Sequence, residues 1–215
     1  MDTALITGAS RGIGAALKSE LGTRGYEVTG TSTRGTEDLL PLDVKDPQSV
    51  AALAKDLKDH PLDLLVCNAG LYLDKGQSLD TDYPAEMWVE EFAVNVTGVF
   101  LTVQAFLPAL RAARGKIAII SSQMASHTRA PGGSYIYRAS KAAALNLGRN
   151  LATDLKSDGI SVGIYHPGWV QTDMGGASAE ITATMAATGL ADRFAELSPT
   201  STGCFLTWDG HPHAY

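Results

Sequence analysis

Tyr137 and Lys141 stand four residues apart in the stretch Tyr137-Arg138-Ala139-Ser140-Lys141. On a helix that spacing puts both side chains on one face, where an ammonium favours the tyrosinate. A phenolic proton normally held to about pH 10 is then brought toward exchange near neutrality. That is acid/base machinery. The same pair also suits an amphipathic helix with a packed ring and a solvated ammonium, so its meaning depends on the elements around it.

Those elements alternate. Short apolar strands are expected at Thr3 to Thr7, Glu27 to Thr31, Leu39 to Leu42, Leu62 to Cys67, Lys116 to Ser121, Ile160 to Tyr165 and Cys204 to Thr207. Helical patterns fall between them at Gly12 to Arg24, Pro47 to His60, Pro84 to Ala113 (one broken helix or two), Tyr137 to Ser157 and Ser178 to Leu197. Unbroken apolar runs such as Leu64-Leu65-Val66-Cys67 and Ile117-Ala118-Ile119-Ile120 belong to a sheet covered on both faces, and helical crossovers make it parallel. The fold class is α/β: a doubly wound, Rossmann-type parallel sheet flanked by helices on both faces, in a single domain over residues 1–215. Ligands in such sheets bind beyond the carboxyl ends of the strands.

The first such end carries Thr7-Gly8-Ala9-Ser10-Arg11-Gly12-Ile13-Gly14 and leads into a helix. Gly8 permits a tight turn. Gly12 and Gly14 remove side chains where backbone must approach a phosphate or pack on the strand, and the helix start offers free N–H groups to an anion. The Gly-x-x-x-Gly-x-Gly spacing differs from the commoner Gly-x-Gly-x-x-Gly fingerprint, and a Gly-rich turn can be purely structural; its place between first strand and first helix favours a dinucleotide. The second strand ends in Thr31-Ser32-Thr33-Arg34, where an acidic residue would select NAD. With no carboxylate there, and with Arg11 and Arg34 beside it, NADP(H) is the preferred cofactor and NAD(H) the alternative. Asp43-Val44 and Asn68-Ala69-Gly70 follow the third and fourth strands; such residues cap turns, and at this edge they can also frame the adenine and its ribose.

The 17 Lys and Arg against 23 Asp and Glu give a net charge of −6, which excludes the basic signature of a nucleic-acid binder. No secretory leader pattern is visible and no apolar run is expected to reach membrane-spanning length, so a cytoplasmic protein is expected. Cys67 and Cys204 lack metal-ligand spacing and suit buried free thiols in a reducing compartment.

Taken together, TGASRGIG, CNAG, the Asn95 segment FAVN, an IISS strand end, YRASK and HPGWVQT resemble the short-chain dehydrogenase/reductase family in order and across essentially the whole chain. The compact length, GGSYIYRASKAA, PGWVQTDMGG and the terminal FLTWDG are most similar to its C-factor-like and sniffer-like carbonyl reductases. The resemblance implies that Tyr137 is the general acid or base, that Lys141 lowers its pKa and binds the nicotinamide ribose, and that Ser122 polarises the carbonyl. It also implies that Asn95 holds a water in a proton relay. Ser121 and Ser126 are alternatives to Ser122, because the interval from Ser122 to Tyr137 is slightly longer than the family's commonest one. In Pro167-Gly168-Trp169-Val170-Gln171-Thr172, the Val170 backbone and the Thr172 hydroxyl would bind the carboxamide.

Cys67 stands where the family commonly has asparagine, and the segment that covers the substrate is short, so an open site is expected. Trp169, Met174, Met124, His127 and Tyr135 are candidate substrate contacts. A small-molecule carbonyl or alcohol is the expected substrate, and a homodimer the expected assembly. A non-catalytic dinucleotide sensor on the same fold is the rival reading.

Overall fold

The computed structural model describes residues 1–58, 60–80 and 83–215. Among the described residues seven strands, β1 (Thr3–Ile6), β2 (Glu27–Ser32), β3 (Leu40–Pro41), β4 (Leu64–Cys67), β5 (Lys116–Ile120), β6 (Ser161–His166) and β7 (Phe205–Thr207), form one sheet in the order β3-β2-β1-β4-β5-β6-β7. Every neighbouring pair is parallel, with Leu5 beside Leu65 and Leu65 beside Ile117. Chain order reverses direction between β1 and β4, so the crevice beyond their carboxyl ends is the switch point where a dinucleotide is accommodated.

Alternation along the strands divides the core. Leu5, Leu65, Ile117, Ile119, Val162 and Ile164 face one way and pack with α2 (Pro47–Asp56), α4 (Gly98–Ala113) and α5 (Tyr135–Asp154). Ala4, Ile6, Leu64, Val66, Ala118 and Ile120 face the other way, against α1 (Gly12–Thr23) and α6 (Ala183–Glu196). Each fully buried Leu or Ile contributes about 1.5–3 kcal/mol by leaving water, so the continuous apolar strands are what a sheet covered on both sides requires.

Local chemistry explains the helix boundaries. Asp46 caps α2 by accepting from the Gln48 N–H, with Pro47 in the first turn. That helix ends at Asp56, short of the expected His60; position 59 of the expected helix lies outside the described residues. The last helix begins at Ala183 rather than Ser178, because Ile181 pairs with Val170 and Thr182 caps the helix through the Met185 N–H.

The expected long helix is two helices, α3 (Ala85–Phe92) and α4, joined by a wide π turn over Ala93–Thr97. At the start of α4 a Cβ on Gly98 would lie 2.8 Å from Val44 Cγ2, so only glycine lets the helix meet the buried Val44. Contrary to expectation, the run Ala85–Ala113 is long and apolar enough to cross a membrane, its most apolar 18-residue stretch having a mean hydropathy of 1.6. Val99, Val103, Phe106 and Leu110 of α4 are buried against the sheet.

Candidate active site

The helix carrying Tyr137 and Lys141 starts two residues earlier than its periodicity suggests, and Asp74 is the cause. Its carboxylate, fully buried in the loop after β4, accepts from the backbone N–H of Ile136 at 2.8 Å and of Tyr137 at 3.3 Å. These are first-turn donors that would otherwise lack partners. Tyr137 is thereby fixed at the helix start, its ring stacked on Tyr72 with centroids 4.2 Å apart and planes 22° apart. Tyr72 is itself held by a 2.5 Å hydrogen bond between its hydroxyl and Ser134 Oγ.

One turn on, Lys141 passes beside the Tyr137 ring, with Nζ 5.7 Å from the centroid, and donates to the Ile120 carbonyl at 3.0 Å. Ser122 follows β5; its Oγ accepts from the Met124 N–H, and its side chain is near enough to Tyr137 to favour the phenolate. Its competitors are occupied elsewhere. Ser121 Oγ donates to the Lys141 carbonyl, and Ser126 Oγ is bonded to Thr128 and to the Tyr215 carbonyl.

Asn95 is buried inside the π turn. Its Oδ1 accepts from the Leu71 N–H at 2.8 Å, and its Nδ2 donates to the Leu71 carbonyl and to Ser140 Oγ, each at 2.9 Å. A Cβ built on Gly70 would lie 3.3 Å from Asn95 Oδ1 and 3.4 Å from Lys141 Nζ. Asn95, Gly70 and Lys141 therefore converge on one small volume, where a methyl group at position 70 would press on both side chains.

Burial governs the electrostatics. It pushes the Tyr137 phenol above its ordinary value, with the nearby Ser122 side chain pulling the other way, and lowers Lys141 to about 8. The lowered phenolic pKa expected from the helical spacing is thus not what the isolated chain shows, because loss of water around the phenolate outweighs its neighbours. Glu91, one helical turn before Asn95, is raised to about 7, also by burial.

On the nucleotide side the fold brings the Gly-rich turn, the end of β2 and the loops after β4 and β6 to one crevice. Gly8 has a positive φ of 68°, and a Cβ there would sit 2.9 Å from Ala69 Cα. A Cβ on Gly14 would lie 2.2 Å from the Gly8 carbonyl oxygen, and one on Gly12 would lie 3.2 Å from Thr172 Cγ2. No side chain caps the N-terminus of α1, which leaves its first N–H groups to an anion. These cradles fit a dinucleotide pyrophosphate.

Other residues of the crevice are committed to the protein. Asn68 donates from Nδ2 to the Thr7 and Gly8 carbonyls, and Asp43 Oδ1 accepts from the Lys45 N–H. Ile13 packs on the core, whereas Ser10, Thr33 and Arg34 are exposed at the rim; the Ala9 N–H ties the turn to the Thr31 carbonyl nearby. Arg11 is ion-paired with Asp173 at 2.8 Å across the crevice. After β6, Pro167 is buried, Gly168 has φ 89° beside Ile181 and Trp208, and Val170 is buried. Thr172 Oγ1 sits between the Val170 carbonyl and the Gly175 N–H.

A cleft of about 490 Å³ is bordered by Gln123, Arg129, His166, Trp169 and Trp208; Ser122, Tyr137 and Lys141 do not line it. Trp169, Met174 and Tyr135 are partly exposed, His127 is exposed and Met124 half-buried. Of the residues that sequence reasoning missed, Glu91 had a signal, lying four before Asn95 on a helix, whereas Tyr72 and Asp74 lie in a loop with no periodicity to mark them.

A family model described as short chain dehydrogenase matches residues 2–182. A 1-hydroxy-2-glutathionyl-2-methyl-3-butene dehydrogenase of Rhodococcus sp. (strain AD45) is 34% identical, with 98% of each chain covered. Among solved structures, the NADPH-bound carbonyl reductase from chicken fatty liver superposes with a TM-score of 0.88 at 29% identity, covering 100% of this chain and 99% of that one. The carbonyl reductase Sniffer of D. melanogaster gives 0.91 at 26% identity, with both chains covered completely. With the matched model spanning most of its length and the Tyr137–Lys141 helix in register with the Gly-rich crevice, the chain belongs to the short chain dehydrogenase family.

Proposed function

We propose that this oxidoreductase is an NADP(H)-dependent carbonyl reductase, interconverting an aldehyde or ketone with an alcohol. The observation that carries the reading is the convergence of Tyr137 with Lys141, whose Nζ lies 5.7 Å from the ring centroid, and with Ser122 at the end of β5, whose side chain pulls the phenolic pKa down. Two neighbouring hydroxyls at a strand end can hold a carbonyl oxygen, and a binding protein has no need of a proton donor there.

When bound, the nicotinamide supplies the hydride, or accepts it in the reverse direction. Gly8, Gly12, Gly14 and the start of α1 would hold the pyrophosphate, and Val170 and Thr172 the carboxamide. The Tyr137 proton passes to the carbonyl oxygen as that oxygen gains charge. Burial keeps the phenol protonated at neutral pH, which is the form that reduction consumes. The Lys141 ammonium then stabilises the phenolate left behind, while Asn95 positions the loop that faces it.

Arg34, exposed and without an ion pair among the described residues, supports NADP(H) over NAD(H). Arg11 joins it only by releasing Asp173, at small cost for so exposed a pair. The NADPH named for the chicken enzyme supports the same choice. The half-exposed Phe100 on α4 fits pairing of two copies, and two free cysteines fit a reducing cytoplasm.

The test is NADPH and NADH oxidation against a panel of aldehydes and ketones. Turnover with NADPH supports the reading. Equal or better use of NADH rejects the cofactor choice, and tight NADPH binding without turnover favours the sensing protein.

A further inference from the structure

Glu91 is a fully buried carboxylate on the last turn of α3, and no family motif used above contains it. Its Oε2 accepts from the Leu73 N–H at 2.8 Å, and its Oε1 lies 3.5 Å from Asn95 Nδ2. Asn95 in turn shares the volume around Gly70 with Lys141 Nζ. Lys141 is buried too, and its ammonium donates to a neutral carbonyl, that of Ile120. Among the described residues it has no direct ion pair, and Glu91 is the carboxylate whose charge reaches it. A buried ammonium left to a carbonyl alone would shed its proton at a pH where the enzyme needs its charge.

We propose that Glu91 is a positioning residue for the catalytic cluster: its buried anion holds Lys141 in the ammonium form and, through Asn95 and Leu73, fixes the loop that closes over both. The significance for catalysis rests on the carbonyl-reductase reading; the effect on Lys141 does not.

The groups facing Glu91 bear on the sign. Asp74, in the loop before α3, repels its charge, and Lys141 on α5 attracts it; Tyr137 on α5 feels Glu91 as an anion that opposes phenolate formation. Glu90 beside it turns outward to Lys45. Burial raises Glu91 to about 7 and lowers Lys141 to about 8, so Glu91 is mostly ionised at the pH where Lys141 is half-titrated. Removing the anion must therefore lower the Lys141 midpoint, while Gln at this position can still accept from the Leu73 N–H.

The experiment follows Lys141 directly by NMR of lysine-labelled protein, with the resonance assigned through Lys141→Arg, in wild type, Glu91→Gln and Glu91→Asp. The expected result is a midpoint lowered by about one pH unit in Glu91→Gln. A smaller shift in the same direction is expected in Glu91→Asp, which also serves if the Gln variant fails to fold. The alkaline limb of kcat for NADPH-dependent reduction should move with it. A Lys141 midpoint unchanged in a folded variant overturns the proposal, even if kcat falls, because a merely structural role would leave that midpoint in place. If the midpoint moves but no form reduces any carbonyl, the reductase reading fails and the role of Glu91 stands.

Discussion

Tyr72 lies nearly flat against Tyr137, ring over ring at 4.2 Å, so the phenol proposed as the proton donor is clamped by an aromatic neighbour from the loop after β4. Stacking of this kind is worth about 0.5–1.5 kcal/mol beyond the area it buries. Tyr72→Ala is expected to lower kcat/KM about tenfold by freeing the Tyr137 ring, with NADPH affinity little changed. Steady-state kinetics beside a cofactor titration checks this.

The glycines of α1 differ in what a methyl group would meet. Gly14→Ala puts Cβ against the Gly8 carbonyl of the phosphate turn and the Asn68 amide that braces it, at a cost of about 1–3 kcal/mol. A Tm lower by about 5 °C is expected, together with weakened NADPH binding. Gly22→Ala, on the same helix with nothing within 4 Å, should be neutral or stabilising. Thermal melts of the two variants, with and without NADPH, separate the effects.

That contrast shows what the sequence made legible. Gly8, Gly12 and Gly14 announce a close approach because glycine is the residue type that permits one, and the Tyr137–Lys141 pair survives as a contact because helical periodicity fixes it. The parallel sheet follows from its unbroken apolar strands. Asp74 and Glu91 were not legible as buried groups. Nothing local distinguishes a carboxylate folded under α5 from one in water, and their burial depends on the loop after β4 meeting the π turn. For the same reason the phenolic pKa was anticipated with the wrong sign: spacing reports a neighbouring charge, whereas burial is a property of the whole fold.

Arg34→Asp is expected to raise the KM for NADPH about tenfold or more while leaving or improving that for NADH, because a charge-assisted hydrogen bond to a 2′-phosphate is replaced by repulsion. Initial rates with the two cofactors decide it. An unchanged preference would remove Arg34 from the site.

Stability should depend on pH in a way the buried groups dictate. Glu91, at about 7 in the fold against 4.5 ordinarily, makes the native state bind more protons, so its contribution falls as pH rises between those values. Lys141, at about 8 against 10.5, makes the unfolded state bind more, so its contribution rises with pH over that upper window. His166, lowered to about 4 by burial, opposes Glu91 on the acid side. Glu91→Gln should therefore gain stability relative to wild type between pH 5 and pH 7.5 (about the range in which Glu91 ionises). Urea unfolding at the two pH values measures the gain.

The most direct test of the whole account is Tyr137→Phe, assayed in parallel for NADPH binding and for single-turnover reduction of a carbonyl that the wild type accepts. The account predicts cofactor affinity close to wild type and a rate lower by about a thousandfold, since the ring remains and only the proton is lost. A Phe variant that reduced the same substrate at the wild-type rate would contradict it.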